Sequence, residues 1–327
     1  MVDTDSAPAR TTATGGGPDS GGGRTALVVG LALIYTLWGS TYLGNRIALE
    51  SLPPMVTTAG RFLLAAVVLL VIAGLRRSPQ LVPTRAQFPG VAVTGILLIG
   101  VGSTLLAVGQ QYVDSGLASL VVAAVPLWVL ALRVCTGQRP SALVVAGVFG
   151  GVAGLALLLL APGTQLHLAG TLTVLASSGV WAVGSWLSQR MAQPADPLVG
   201  IAWQMLIGGL AVAVASALTG ELGGLRLAEV SGRSWIAWGY LLVVCTIVGY
   251  TVYSWLLRRA PLQLVATYAY VNPVVAVGLG MMVLDERLTG RQVLAGVFVL
   301  ASVAVVVAVE RPRQRGPSSP AAPATPT

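Results

Sequence analysis

Charge is what this sequence has least of, and the shortage decides its class. Of 327 residues only 9% are Asp, Glu, Lys or Arg, against about a quarter in ordinary soluble domains. At a mean hydropathy of +0.82 a soluble chain is excluded. Lysine is absent, and with one histidine and two cysteines the chain lacks the ligands of a metal site. His167 stands alone in a short loop, with no Ser, Cys or carboxylate in sequence reach for catalysis. Cys135 and Cys245 sit in or near long apolar runs, so a disulfide framework has no support. No Walker A sequence occurs, so ATP does not drive the protein directly. Period-two alternation is missing too, and runs such as LALLLL at 155–160 are apolar all round, which argues against a membrane β-barrel.

What is present is a series of apolar segments. A helix needs roughly 20 mostly apolar residues to span a bilayer. Ten such segments fit, near 25–47, 54–74, 88–110, 115–133, 141–161, 168–190, 197–218, 234–257, 262–284 and 290–309. The formal net charge of +8 is a topological signal. With the N-terminus inside, Arg10, Arg24, Arg76, Arg77, Arg85, Arg133, Arg139, Arg190, Arg258, Arg259, Arg311, Arg313 and Arg315 fall on one side. Arg46, Arg226, Arg233, Arg287 and Arg291 fall on the other, and Arg61 lies within a span. This asymmetry satisfies the positive-inside rule, so both termini are expected in the cytoplasm and no nucleic-acid partner is implied.

The segments are one block of five written twice. TYLGNRI at 41–47 lies over SWLSQRM at 185–191, and 57–72 over 200–215, which sets Arg61 against Gln204. Segment 117–126, ending in Pro126, pairs with 264–273, ending in Pro273, and AGVF recurs at 146–149 and 295–298. An odd-numbered block repeated in a membrane comes out upside down, and inverted repeats are how many secondary transporters build alternating access around a midplane site. The expected fold is an all-α integral membrane protein of ten transmembrane helices in two inverted five-helix repeats, at 25–161 and 166–310. The Gly- and Pro-rich ends, 1–24 and 311–327, are expected to be disordered cytoplasmic tails. The first apolar run is long enough to remain as a span, so no cleavable signal peptide is read.

Site candidates follow from polar and aromatic residues at membrane depth. An arginine at a bilayer centre costs at least about 2.5 kcal/mol. Arg61 therefore binds a substrate carboxylate or phosphate, or ties to helix carbonyls or Glu50, or snorkels outward. Tyr35, Trp38 and Tyr42 share one helical face beside Thr41 and Asn45, and Ser178, Trp181 and Ser185 repeat that spacing. Either stripe lines a cavity for an amphipathic metabolite or serves helix packing, which Gly39, Ser40 and Gly44 would permit. Thr246, Tyr250 and Tyr253 form a further stripe. Pro126 and Pro273 free carbonyls in mid-helix and favour kinks. Asn272, with Tyr268 one turn earlier, is interhelical glue or a substrate contact. Gln204 is polar and uncharged. Asp285 and Glu286 read as a solvated cluster beside Arg287 and Arg291.

WGSTYLGNRIALESLPP at 38–54 with Arg61-Phe62, SGLASLVVAAVP at 115–126, and TYAYVNPVVAVGLG at 267–280 with Asp285-Glu286-Arg287-Leu288-Thr289 together resemble the EamA-type drug/metabolite transporter superfamily, in its YedA-like exporter branch. The resemblance implies a cell-membrane exporter of small metabolites or drugs with a central cavity. Where the family often carries an acid before its fifth helix this chain has Gln138, and near the end of the third it has Gly109-Gln110-Gln111, which argues against proton coupling at either place. The expected partners are a small-molecule substrate and membrane lipid, with no cofactor; monomer and homodimer both stay open. A lipid or acyl transferase would want clustered His, Asp or Glu, and a sensor a large soluble output domain. The chain is therefore expected to be a transporter and not an enzyme.

Overall fold

The structure is a computed structural model that describes residues 20–137, 141–159, 167–257, 259–260, 268–287 and 289–309. The ends before 20 and after 309, Gln138, and the start of the ninth apolar segment lie outside the described residues. Among the described residues every regular element is helical. α1 (Ser20–Gly39) and α2 (Thr41–Ala48) are parted only by Ser40. α3 (Pro54–Leu75) follows, then α4 (Phe88–Thr94), which passes through a π-helical stretch, Gly95–Gly102, into α5 (Ser103–Gln110). α6 (Ser115–Val122) and α7 (Val125–Cys135) precede α8 (Ala142–Leu159), α9 (Leu168–Ser188) and α10 (Pro197–Leu218). α11 (Gly232–Tyr240) runs through a second π-helical stretch, Leu241–Val248, into α12 (Gly249–Leu257). α13 (Tyr268–Val283) and α14 (Gly290–Val309) complete the described chain. Among the described residues six stretches are long and apolar enough to cross a membrane, and Val271–Val283 and Gly290–Ser302 are shorter apolar helices.

The relation between the halves is visible in α3 and α10. Both are 22 residues long and carry proline in the first turn, where a missing N–H costs nothing. They pack along each other in opposite directions. The N–H groups of Met55 and Val56, at the start of α3, donate to Glu221 Oε1 just beyond the end of α10 (2.7 and 3.1 Å). At the other end Ser78 Oγ, just beyond α3, donates to Asp196 Oδ2 (2.9 Å), while Asp196 Oδ1 accepts from Leu198 N at the start of α10 (3.0 Å). Each helix N-terminus thus receives a carboxylate, which satisfies orphan donors and complements the helix dipole. Equivalent helices running antiparallel are the signature of an inverted repeat.

Both π-helical stretches fall in the equivalent place of each half. π segments interrupt the regular ladder and recur at functional sites. The prolines are not equivalent. The helix breaks at Ala123-Ala124, which puts Pro126 in the first turn of α7, whereas Pro273 lies inside a continuous α13. The mid-helix position read for Pro126 is therefore corrected: the chain restarts its helix there, where a proline donor is not needed.

Packing separates two kinds of surface on helices that are apolar all round. On α3, Phe62, Ala65, Ala66, Leu69 and Ala73 are buried against Ala202 and Met205 of α10, while Leu64, Val67 and Val71 are about half exposed (49%, 55% and 56%). In water such a stripe would be an aggregation hazard; in a bilayer it is the lipid face. Small residues set the close approaches, as membrane helices require. A Cβ on Gly208 of α10 would stand 2.7 Å from Ile99 Cβ in the first π stretch, so only glycine fits that crossing.

Candidate functional site

Four aromatic rings from three elements meet where the halves join. Trp38, near the end of α1, has ring centroids 5.2 Å from Tyr250, 5.0 Å from Tyr253 and 4.7 Å from Tyr268, the last edge-on. Its indole Nε1 donates to the carbonyl of Cys245 inside the second π stretch (3.3 Å). Such tilted pairs are the preferred aromatic geometry, worth roughly 0.5–1.5 kcal/mol each beyond burial. Asn272, with its amide turned to satisfy both ends, donates to the carbonyls of Tyr268 and Tyr35 (3.1 and 3.3 Å). Of its two sequence readings, the structure shows the interhelical tie, linking α13 to α1.

Arg61 lies on the neighbouring helix, two turns into α3. It is 6% exposed. Its Nη1 donates to Asn45 Oδ1 (3.2 Å), Asn45 Nδ2 to Gln110 Oε1 (3.1 Å), and Gln110 Nε2 to the carbonyl of Tyr42 (3.1 Å). The chain of amides ties α3, α2 and α5 together. The guanidinium also lies over the Phe62 ring, 4.4 Å from its centroid. Arg61 Nε has no hydrogen-bond partner. Tyr250 belongs to the aromatic group and also packs against the cluster containing Phe62, the residue next to Arg61. The tie to Glu50 is not formed, because Glu50 faces Arg233 at 3.6 Å.

The other sequence candidates divide. Thr41 donates to Leu37 O (3.2 Å) on the helix that carries Trp38. Tyr42 is packed in a core cluster with Val113, Leu117 and Ala276. Trp181 rests on Gly102 of the first π stretch: a Cβ there would stand 2.6 Å from the indole. Gln204 Nε2 donates to Gln193 Oε1 (3.3 Å), and Ser185 lies half-buried on α9. These three occupy the equivalent place in the other half and do not join the group around Trp38. Gln110 and Cys245 were missed. The signal for Gln110 was an uncharged amide at the end of an apolar span; a backbone carbonyl such as that of Cys245 leaves none.

At the end of the bundle beyond Arg61, charges hold the α5–α6 hairpin. Arg46 Nη1 donates to the carbonyls of Gln110 and Gln111 at the C-terminus of α5 (2.9 and 2.8 Å). Glu286 accepts from Ser115 N (2.9 Å), Ser115 Oγ (2.8 Å) and Gly116 N (3.1 Å) at the N-terminus of α6. Cation at the C-terminus and anion at the N-terminus is the favourable sense for both dipoles. The solvated cluster read for Glu286 is thus corrected: three donors and a helix N-terminus outbid Arg287 and Arg291. Asp114 stands beside this clasp, its carboxyl raised above the usual range by partial burial and by Glu286, against the opposing pull of Arg46. His167 caps α9, its Nδ1 accepting from Gly170 N (3.1 Å), and stacks on Tyr112.

Comparisons place this arrangement among known proteins. The profile of the EamA-like transporter family matches residues 26–160 and again 168–308. The chain is 37% identical over 280 residues to the uncharacterized inner membrane transporter YedA of Escherichia coli K12, covering 85% of this chain and 89% of that one. It is 26% identical over 291 residues to a probable amino-acid metabolite efflux pump of the same strain, covering 84% and 92%. It is 27% identical over 276 residues to protein PecM of Dickeya dadantii, covering 83% and 88%. A crystal structure with 22% identity superposes with a TM-score of 0.60 over 88% of this chain and 99% of its own, which speaks to fold alone. With two matches to the family profile along one chain, an antiparallel α3–α10 pair and apolar outer faces, the protein belongs to the EamA-like transporter family.

Proposed function

We propose that the protein is a secondary exporter of small amphipathic metabolites, amino-acid-like compounds or drugs, working by alternating access between two inverted five-helix repeats. The observation that carries this reading is the junction itself. Trp38, Asn45 and Arg61 come from the first half and Tyr250, Tyr253 and Tyr268 from the second, so rocking one half against the other changes access to a site that both build. An aromatic wall with a few polar groups is the ordinary chemistry of a small-molecule site. The arginine asymmetry supports ten spans with both termini in the cytoplasm. The ion pairs of the described residues do not include Arg61, which favours facilitated diffusion or exchange over proton antiport. The test is purified protein in proteoliposomes, challenged with metabolites and drugs chosen from a tolerance screen of overproducing and deletion cells. Counterflow of at least one compound, lost in Trp38→Ala, is the expected result. Uphill movement that follows an imposed pH gradient would overturn the coupling assignment, and absence of any flux in a panel that the cells do export would overturn the transport assignment.

A further inference from the structure

We infer that the site at the junction takes an organic anion, with a carboxylate or phosphate group at Arg61 and an apolar or aromatic body against Trp38 and Tyr250. The inference rests on the transport reading and names its substrate class. A guanidinium carries five N–H donors in a planar fork, and at Arg61 Nη1 has an acceptor, the neutral amide oxygen of Asn45. Nε is buried with no partner. The ion pairs of the described residues, Arg226–Glu229 and Arg233–Glu50, leave Arg61 out. A buried cation without a counter-charge is costly, and removing or withholding its partner leaves the largest electrostatic penalty a core can carry. An anion admitted beside Arg61 cancels that penalty and takes the unused Nε donor in a charge-assisted, directional contact. A cationic substrate would add to it.

The surroundings fix the rest of the ligand. Tyr250 packs against the cluster containing Phe62 on one side and is 5.2 Å from the Trp38 ring on the other, so a group held at Arg61 has an aromatic wall next to it. Asn45 holds the guanidinium through Nη1 and is itself held by Gln110, while Nε keeps an unused donor. The Cys245 carbonyl holds Trp38, and its thiol lies 3.9 Å from Ser40 Oγ at the break between α1 and α2. The ligand is thus an acid with an aromatic or branched apolar tail.

The experiment is binding to the full chain in nanodiscs, read by quenching of intrinsic tryptophan fluorescence, with phenylacetate, phenyl phosphate, phenylacetamide and phenylethylamine as matched probes. The expected order puts one or both acids about 10- to 100-fold tighter than the amide and the amine, the span of a charge-assisted contact. The two acids against each other tell carboxylate from phosphate. Arg61→Gln is expected to lose that preference, and Arg61→Lys to keep part of it. Equal binding of phenylethylamine and the acids by the wild-type protein overturns the inference, even where Arg61→Gln does not fold. Acid binding that is unchanged in Arg61→Gln also overturns it. Counterflow of the bound acid is measured separately. Arg61-dependent binding without flux of any probe leaves the anion site standing and sinks transport, and flux of the amine alone does the reverse.

Discussion

The indole of Trp38 lies on Gly249 so closely that a methyl group on the glycine would stand 2.8 Å from indole Nε1. Gly249 is the residue at which the second π stretch gives way to α12, and the other half repeats the contact with Trp181 on Gly102 at the end of the first. In each half a tryptophan from one repeat is seated on the helix interruption of the other. The contact couples the register of the interrupted helix to the position of a site residue, and it needs a glycine because nothing larger than hydrogen fits between them.

Gly249→Ala is therefore expected to displace Trp38 and weaken its bond to the Cys245 carbonyl, at an overpacking cost of about 1–3 kcal/mol. Counterflow should fall roughly tenfold, as 1.4 kcal/mol corresponds to a factor of ten. Gly278→Ala is the control, since an added methyl there meets no atom within 4 Å. Equal flux in the two variants would show that the contact is packing and nothing more.

Glu286→Gln tests the clasp on α6. Hydrogen bonds to a charged group contribute about 1.5–3 kcal/mol each at best, and a neutral amide presents one oxygen to three donors. The expected outcome is a lower melting temperature and freer separation of α6 from α13. Separation is measured as maleimide labelling of Val277→Cys, which faces Gly116, in a background without Cys135 and Cys245. Gly280→Ala should give the same result by a different route, because the new methyl would collide with the Glu286 carboxylate. Labelling at the wild-type rate in both variants would rule out a closing role for Glu286.

Most of the architecture could be read from the chain because a bilayer permits few solutions. Apolar runs of spanning length, arginines sorted to one side and a doubled block leave little besides an inverted helical repeat. The site was less legible. Trp38, Tyr250 and Tyr268 were read on separate helices, and their rings do meet; Trp181 and Gln204, read as candidates beside them, lie instead against Gly102 and Gln193. Antiparallel packing sends equivalent residues of α3 and α10 toward opposite ends of the pair: Arg61 and Gln204 are each seven residues beyond a first-turn proline, on helices that run in opposite directions. Glu286 was misread because sequence proximity to Arg287 and Arg291 is visible, whereas the N-terminus of a helix 171 residues away is not. The π stretches had no sequence signal beyond their apolar residues, with glycines in the first alone.

Asp114 gives the clasp a pH dependence whose sign follows from its surroundings. Partial burial, then Glu286, raise its pKa above the ordinary 3.8, and Arg46 opposes them. An acid whose pKa is raised by folding binds its proton more tightly in the folded state, so its contribution is greatest at low pH. That contribution is lost as pH climbs from 3.8 through the raised value. Above that window the charged Asp114 repels Glu286. Asp114→Asn is expected to flatten this part of the melting-temperature profile and to lie slightly above wild type at neutral pH. Because the carboxyl is also reached by solvent, the gain stays below about 1 kcal/mol. A variant that melts lower than wild type at neutral pH would reverse the assignment.

Asn45→Asp separates the charge of Arg61 from its position. The substitution keeps the shape of the side chain and puts a carboxylate where the amide oxygen now accepts Nη1 at 3.2 Å, so the guanidinium stays in place with its charge answered from within. Asp cannot donate to Gln110 Oε1 as Asn45 now does at 3.1 Å; the Gln110 amide can turn to donate instead, at the expense of its bond to the Tyr42 carbonyl. One lost neutral hydrogen bond costs about 1 kcal/mol and offsets part of the new ion pair, so the melting temperature should change little. Anion binding should nevertheless fall tenfold or more, on the order of the loss from a charge-assisted contact, because the ligand now meets a neutral pair. If phenylacetate and phenyl phosphate bind Asn45→Asp as tightly as they bind the wild-type protein, the free charge at Arg61 is not what recognises them, and the guanidinium is a structural tie between α3 and α2.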